Sequence, residues 1–333
     1  MSQPGRSCPL HYRYRPEVFA DAPPLHAETL YVIGGLYGNV ESLRQILAMK
    51  RDEEERSGGR VELLFNGDFN WFDCDAAGFL EINETVLRHP ALCGNVEAEL
   101  DSADDDNGCG CNYPDYVEAE VVERSNTIMR RLRDCAAQFP ALRKQVAALP
   151  MFRSVEIAGQ SVGVVHGDPE SLSGWNFAWE AMPRLHGEKQ VPSLAAPTQR
   201  TSRDSVADYF RRARVDAFAS THTCLPFVQD FEVDGLRRLV INNGAAGMPN
   251  FKGATFGVLT RISSRPQTPD DSLYGTTLGA LRFDALPIRY GQTAWLKRFL
   301  ANWPEASPGH TAYWKRIVEG PAFTVQAAVR LEH

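Results

Sequence analysis

The sequence predicts an α/β fold in which helices cover a sheet, and three observations lead to that prediction. Short apolar runs typical of buried strands, such as VELLFN at 61–66, alternate with longer segments whose apolar residues recur at helical spacing. The run that starts at Tyr31 ends in a turn rich in Gly, GGLYGN, which separates a strand from a helix. The 333 residues are 43% hydrophobic and 23% charged, so the chain can bury a large core.

The first half of the chain contains most of this alternation. Residues 1–27 are rich in Pro and polar residues, which predicts an irregular N-terminal arm. An acidic, turn-rich stretch at 101–116, DSADDDNGCGCNYPDY, predicts an inserted loop. The remaining elements predicted here are strands at 29–34, 61–66 and 90–93 and helices at 40–56, 76–88 and 116–148.

Short strands dominate the second half. Two hairpins are predicted at 152–166 and 226–242, with turns at Gly159 and Asp234-Gly235. Between the hairpins lie a loop rich in Trp and Pro at 169–200 and a short helix at 203–213. A strand at 281–290 and helices at 293–303 and 311–319 follow. We predict one domain over 28–292, a helical C-terminal extension over 293–330 and an expression-tag remnant at 331–333.

Charge and hydropathy exclude several classes of function. The formal net charge is −7 and Lys/Arg blocks are absent from the sequence, which disfavours non-specific binding to nucleic acid or anionic membranes. The sequence has no signal-peptide core and no apolar segment near the roughly 20 residues that span a bilayer. We therefore expect a cytoplasmic protein without membrane contact. The seven cysteines are expected to be reduced thiols.

Four polar fragments follow predicted strands: NGD at 66–68, CGN at 93–95, VHG at 165–167 and STHTC at 220–224. Each fragment alone is typical of an ordinary turn or of a buried histidine. Strand ends in a layered α/β protein can converge on one crevice. The four fragments together therefore indicate a functional site, although each alone does not.

The polar side chains of these fragments form a mixed set of metal ligands. Asp68 offers a carboxylate, Asn95 an amide oxygen, and His166 and His222 two imidazoles. Oxygen and nitrogen donors in this combination suit a borderline divalent metal such as Mn, Fe(II) or Zn. We therefore predict one divalent metal at these four residues.

The order of the fragments resembles the calcineurin-like metallophosphoesterase superfamily, whose motifs run DxH, GD, GNH[DE], H and GHxH. The resemblance is nearest to the branch that reads DIHGN early and NPGSVG late, and it spans residues 29–260. The corresponding segments here are GLYGN at 35–39, GNVEAEL at 94–100 and INNGAAGMP at 241–249. The resemblance implies a four-layer αββα sandwich, in which two mixed sheets are flanked by helices.

The resemblance also implies that only one of the family's two metal sites is retained. The second-site ligands correspond to the four residues named above. The first-site ligands correspond to Gly35, Tyr37, Asp68 and Cys224, so three of those four have changed. Sulfur from Cys224, Cys109 and Cys111, or the imidazole of His186, could rebuild the first site, and the second metal therefore stays open.

The function implied by the resemblance is hydrolysis of a small phosphate ester, nucleotide or phosphodiester through a metal-bound water. Tyr37 could donate a hydrogen bond in place of the missing charge or simply fill the vacated space, and Asn39 stands where the family has a polar residue near the substrate. The third-motif His is Val96 here, so the general acid is unassigned. The acidic stretch at 101–106 favours a small substrate over a polyanion.

The alternative is a non-catalytic binding or scaffold module, because a retromer subunit has this fold with a degraded site. Under that hypothesis the protein has a protein partner, and Trp side chains could anchor it or could instead cover the core. The candidates are Trp175, Trp179, Trp295, Trp303 and Trp314.

Overall fold

The computed structural model describes residues 4–102, 107–187, 197, 200–265 and 267–332. The helices are α1 (Val18–Asp21), α2 (Val40–Ser57), α3 (Ala76–Val86), α4 (Asn95–Leu100), α5 (Ala119–Ala136), α6 (Pro140–Ala147), α7 (Arg203–Ala213), α8 (Gln292–Asn302), α9 (Pro308–Glu319) and α10 (Val325–Ala328). The strands are β1 (Leu25–His26), β2 (Thr29–Ile33), β3 (Val61–Asn66), β4 (Ala91–Leu92), β5 (Phe152–Ile157), β6 (Gln160–Val165), β7 (Ala217–Ser220), β8 (Phe227–Val233), β9 (Leu236–Asn242), β10 (Gly257–Ser263), β11 (Tyr274–Leu278), β12 (Leu281–Ile288) and β13 (Val329–Arg330).

The strands form two mixed sheets within the described ranges. The first sheet has six strands in the order β11-β12-β10-β2-β3-β4, and the second has seven in the order β1-β5-β6-β7-β9-β8-β13. In the first sheet β2, β3 and β4 run parallel, and in the second sheet β6, β7 and β9 do so. Antiparallel pairs complete the first sheet, and the second is completed by two hairpins and by β1 and β13, which pair in parallel at its edges.

Side-chain alternation along the strands produces the layers. In β2, Leu30 and Val32 pack between the sheets against residues such as Val164, whereas Tyr31 and Ile33 face the helical layer. Both faces of the strand are buried, which explains its continuous apolar run. Helices α2, α3 and α8 cover the first sheet and α7 covers the second. This arrangement confirms the predicted fold class of two mixed sheets flanked by helices.

The carboxyl ends of the parallel strands in both sheets meet in one crevice. Asn66 at the end of β3 donates from Nδ2 to the Val165 carbonyl at the end of β6, over 2.7 Å. Gly35, after β2, forms a parallel bridge with Ala245, after β9. The loops that carry the four polar fragments are therefore brought to the same place, as expected for strand ends in an α/β protein.

The N-terminal arm is more ordered than predicted. It contains a 3-10 helix at Leu10–Tyr12 and helix α1, and strand β1 pairs in parallel with β5. Tyr12 and Phe19 are buried, and the Phe19 ring packs on the rings of Phe152 and Phe218. These aromatic contacts hold the arm to the second sheet, although its Pro-rich composition is typical of an irregular segment.

The single long helix predicted at 116–148 is wrong. The structure has α5, which ends at Ala136, and α6, which begins at Pro140. Proline has no backbone N–H and disfavours a helical residue before it, so a helix starts there instead of continuing. The sequence prediction also missed α4, whose first residue is Asn95.

The C-terminal extension is helical as predicted, but it ends in a strand. β13 pairs in parallel with β8 and adds an edge to the second sheet. Trp295 and Trp303 are buried in the core that covers the first sheet, and Trp179 is buried in the core of the second. The contact of the extension with both layers argues for one structural unit, and the predicted domain boundaries stay predictions. Among the described helices, none combines the length and apolarity that a membrane crossing requires.

We expect Trp303→Ala to lower the free energy of unfolding by about 3–5 kcal/mol, because the side chain is fully buried and a large cavity would remain. Trp303 Nε1 also donates to the Phe72 carbonyl over 3.0 Å, and Arg131 lies over the ring. Urea denaturation measures the change. Leu300→Ala is the matched control on α8, since Leu300 is 38% exposed, and its cost should stay below about 1 kcal/mol. Equal costs for the two variants would contradict the packing described here.

Candidate metal centre

Asp68 lies in a tight turn at the end of β3 that is held by a buried carboxylate. Gly67 and Asp68 both have left-handed backbone conformations, with φ values of 80° and 56°. The amides of Asp68 and Phe69 donate to the Glu97 carboxylate over 2.7 and 3.1 Å, and the Gly94 amide does so over 3.1 Å. Glu97 on α4 therefore joins the turn at Gly67 and Asp68 to the turn at Gly94. Burial and the charge of Asp68 raise the pKa of Glu97 to about 7.

The four predicted ligands converge in the crevice. His166 Nε2 lies 3.2 Å from Asn95 Oδ1, 3.2 Å from His222 Nδ1 and 3.4 Å from Asp68 Oδ1. All four residues are buried. The ligand atoms of Asp68, His166 and His222 lie within 4.8 Å of one another, as a group that could hold a metal ion.

The outer nitrogens of both imidazoles are bound to backbone carbonyls. His166 Nδ1 lies 2.8 Å from the Asn66 carbonyl, and His222 Nε2 lies 3.1 Å from the Cys111 carbonyl. A carbonyl oxygen only accepts, so each of these nitrogens carries a hydrogen and donates. The inner nitrogens, His166 Nε2 and His222 Nδ1, then face the crevice as lone pairs. An outer N–H bound to a carbonyl is also the usual support of a metal-ligating histidine.

The amide of Asn95 is oriented in the same way. Its Nδ2 donates to the Cys109 carbonyl over 2.9 Å, which turns Oδ1 toward His166. Together with the Asp68 carboxylate, four acceptor atoms therefore face one another in a buried space. Such a cluster requires a cation, either a proton or a metal. Ligands about 2.1 Å from a metal lie about 3.0–3.4 Å apart, which matches the distances around His166.

The electrostatics of the cluster agree with a site for a cation. Burial opposes ionisation of Asp68, but His166 and then His222 outweigh it and hold the pKa of Asp68 below its ordinary value. Burial alone would lower the pKa of His166, and the Asp68 carboxylate raises it instead. Burial and the neighbouring His166 lower the pKa of His222 to about 4, so this imidazole is neutral at neutral pH. Without a metal, these shifts favour a proton on His166 over one on His222.

The positions that the sequence resemblance assigns to a first metal are filled by the Tyr37 ring. A Cβ added to Gly35 would lie 2.4 Å from Tyr37 Cζ, so the Tyr37 ring occupies the space of a side chain at position 35. The Tyr37 hydroxyl lies 2.6 Å from Cys224 Sγ. Burial, followed by the neighbouring Cys224 thiol, raises the pKa of Tyr37. Burial also raises the pKa of Cys224. Both groups are therefore neutral. The Tyr37 ring fills the space beside Gly35 with apolar surface, and the hydroxyl and the thiol are its two polar groups.

The predicted insertion folds over the crevice through its backbone. The carbonyls of Cys109 and Cys111 accept from Asn95 and His222, as described above. Cys111 Sγ lies 3.4 Å from Asn95 Nδ2, and burial raises the pKa of this thiol, so it is neutral. Residues 103–106, and with them most of the acidic stretch, lie outside the described residues. Sulfur ligation stays a prediction, and so does a role for His186, whose side chain is exposed.

Asn39 caps helix α2. Its Oδ1 accepts from the Ser42 amide over 3.1 Å, and its Nδ2 donates to the Gly247 carbonyl over 2.8 Å. Both ends of the buried amide are thus engaged in joining the first turn to the segment after β9. These contacts explain the residue structurally, and contact with substrate stays a prediction.

A cavity of about 160 Å³ opens beside the cluster. Its lining residues come from several elements and include Tyr37, Asp68, Trp71, Asn95, Val96, Cys111, Tyr113, Trp175, His222, Cys224, Met248, Tyr313 and Arg316. A second, more open cavity of about 710 Å³ shares Tyr113 and Trp175 with it. The aromatic residues make the small cavity a largely apolar chamber beside the polar cluster.

Two important residues escaped the sequence prediction. Glu97 had a local signal, since it occupies the third position of a helix that begins just after Gly94, where a carboxylate caps free amides. Arg316 had none, because it lies in the extension, 92 residues beyond Cys224, whose carbonyl it contacts.

Comparison with known proteins supports the fold. No protein-family model matches the chain, and no curated protein matches it significantly. A hypothetical protein from Pyrococcus horikoshii OT3 aligns with 89% of this chain and 99% of its own, at 13% identity and a TM-score of 0.56. A metallophosphoesterase from Sphaerobacter thermophilus aligns with 89% and 100%, at 16% identity and a TM-score of 0.49. The order of motifs and the two mixed sheets identify the calcineurin-like metallophosphoesterase fold, as the sequence predicted.

We expect Gly35→Ala to destabilise the protein by about 1–3 kcal/mol, because the new Cβ would overlap the Tyr37 ring. In a Tyr37→Ala background the same change should cost much less. A double-mutant cycle followed by urea denaturation measures the coupling, which should be about 1 kcal/mol or more. Additive effects would mean that Tyr37 does not occupy the space beside Gly35.

Proposed function

We propose that the protein is a metal-dependent hydrolase of small phosphate esters, nucleotides or phosphodiesters. One divalent metal, Mn, Fe or Zn, is held by Asp68, Asn95, His166 and His222. The observation that carries this proposal is the buried convergence of four acceptor atoms, described above. The site's mixture of one carboxylate, one amide oxygen and two imidazoles suits these metals.

The chemistry divides between the metal and the chain. When bound, the metal polarises an ester oxygen and lowers the pKa of a water molecule toward neutrality. The Asn66 and Cys111 carbonyls orient the two imidazoles, and Glu97 holds the turn that presents Asp68. Tyr37 lines the cavity and offers a neutral hydroxyl to an ester oxygen.

The two cavities support a small organic phosphate as substrate. A volume of about 160 Å³ beside the ligands suits a compact group such as a phosphoryl group. The adjoining cavity of about 710 Å³ meets it at Tyr113 and Trp175, whose rings lie 5.8 Å apart. The organic part of the substrate would occupy this larger space, where the aromatic rings offer apolar contact.

Metal content and turnover of the Asp68→Asn variant test the proposal together. We expect about one metal per chain by elemental mass spectrometry of protein purified without chelator. Asp68→Asn should remove it, because the substitution exchanges a charged ligand for a neutral one. Hydrolysis of p-nitrophenyl phosphate or bis(p-nitrophenyl) phosphate should fall with it by at least about 100-fold.

Asp73→Asn is the matched control for this experiment. Asp73 is also buried, and burial, followed by the charge of Asp75, raises the pKa of its carboxyl, so the neutral amide of Asn suits this position. It lies outside the metal cluster and does not line the small cavity. Asp73→Asn should keep metal and turnover. A wild-type chain without metal would end the hydrolase proposal, and a metal without turnover of either ester would favour the binding module.

A further inference from the structure

Helix α9 brings a cation to the side of the cavity where the family's first metal would lie. Arg316 Nη2 donates to the Cys224 carbonyl over 3.0 Å, and Nε donates to the Pro249 carbonyl over 3.3 Å. Arg316 lines the same cavity as Asp68 and His222. The residue is half-buried, so the surrounding protein restricts its movement.

The charge of Arg316 is not neutralised by a close ion pair. A guanidinium stays protonated at any ordinary pH. Within the part of the chain that the structure describes, no carboxylate lies within 4.0 Å of it, and Nη1 makes no hydrogen bond. Glu180 is near enough to interact with it electrostatically, but burial raises the pKa of that carboxyl. The Tyr37 hydroxyl and the Cys224 thiol, the other polar groups on this side, contact each other over 2.6 Å, and neither can carry a positive charge.

A phosphate ester needs positive charge on more than one side. A single metal held at Asp68 and His166 would contact only part of the phosphoryl group, and the remaining oxygens would face Tyr37 and Cys224, which supply no positive charge. Catalysis of phosphoryl transfer depends on electrostatic stabilisation of these oxygens. A guanidinium binds such oxyanions with charge-assisted hydrogen bonds from its fixed planar fork.

We propose that Arg316 forms an anion subsite that holds a tetrahedral oxyanion, the phosphoryl group of the substrate, opposite the metal ligands. This inference rests on the proposed function and adds to it the residue that replaces the charge of the lost first metal. The subsite belongs to the C-terminal extension, which joins the catalytic cavity through α9. Trp303 precedes the turn that leads into α9, and Tyr313 lies within α9. Both pack in the core that covers the first sheet, and these contacts hold the helix in place.

Phosphate binding to the metal-loaded protein tests the subsite. Isothermal titration calorimetry with inorganic phosphate should show about ten- to one hundred-fold weaker binding to Arg316→Gln than to the wild type. Metal content should not change. Arg316→Lys keeps the charge and loses the planar fork, so its affinity should fall between the two. Lys315→Gln is the matched control, because its side chain is exposed on the same helix, and it should bind phosphate like the wild type.

A purely structural role for Arg316 predicts a different result. The two carbonyl contacts would then matter only for folding, and Arg316→Gln would lower the melting temperature without changing phosphate affinity. Phosphate affinity within about twofold of the wild type would overturn the proposal. Metal bound with unchanged phosphate affinity in Arg316→Gln refutes only the subsite, whereas a wild-type chain that binds no metal refutes the proposed function.

A measurement on the wild type decides the question if Arg316→Gln folds poorly. Phenylglyoxal modifies arginine, and peptide mass spectrometry follows the modification of Arg316 alone. Phosphate at about ten times its Kd should slow that modification about tenfold, because a bound anion covers the guanidinium. Modification of Arg316 at the same rate with and without phosphate would overturn the proposal.

Discussion

Four acceptor atoms face one another in a buried space, and the surrounding structure depends on keeping them there. Three of them are turned inward because the other end of the same side chain is bound elsewhere: the imidazoles to the Asn66 and Cys111 carbonyls and the Asn95 amide to the Cys109 carbonyl. Lone pairs gathered in a low-dielectric interior repel one another unless a cation lies between them. The cluster is thus costly by itself, and a metal or a proton between the acceptor atoms would offset that cost.

The two sides of this crevice have diverged. On one side the four predicted ligands are supported by a second layer of hydrogen bonds, including those of Glu97. On the other side the Tyr37 ring occupies the volume beside Gly35, and Cys224 contacts the ring's hydroxyl. Loss of function throughout the site would have removed ligands from both sides. This asymmetry agrees with the proposals made above, in which one metal is bound and Arg316 on the C-terminal helix α9 supplies the remaining positive charge.

Much of the fold could be predicted because the spacing of apolar residues and the turn signals that end each element are local properties of the sequence. β3 and α7 were predicted with the bounds that they have in the structure, since their apolar patterns are flanked by clear turn signals. Pro140 marks the break between α5 and α6 in the sequence, but the prediction of one helix rested on apolar spacing alone. The order of the N-terminal arm and the strand β13 had no such local signal, because each gains its stability from pairing with a distant strand.

The sequence by itself determined which residue types stand at the strand ends: the predicted ligands Asp68, Asn95, His166 and His222, and Gly35, Tyr37 and Cys224 at the positions that the resemblance assigns to a first metal. The identity and order of the residues can be read directly from the sequence, and the spacing of the motifs shows which residues correspond. Only the tertiary structure decided how those groups are oriented and charged. The tautomer of His222 depends on a carbonyl 111 residues away, and the charge beside Cys224 comes from Arg316, 92 residues further on. Such contacts arise from packing of the layers, and no local pattern in the sequence encodes them.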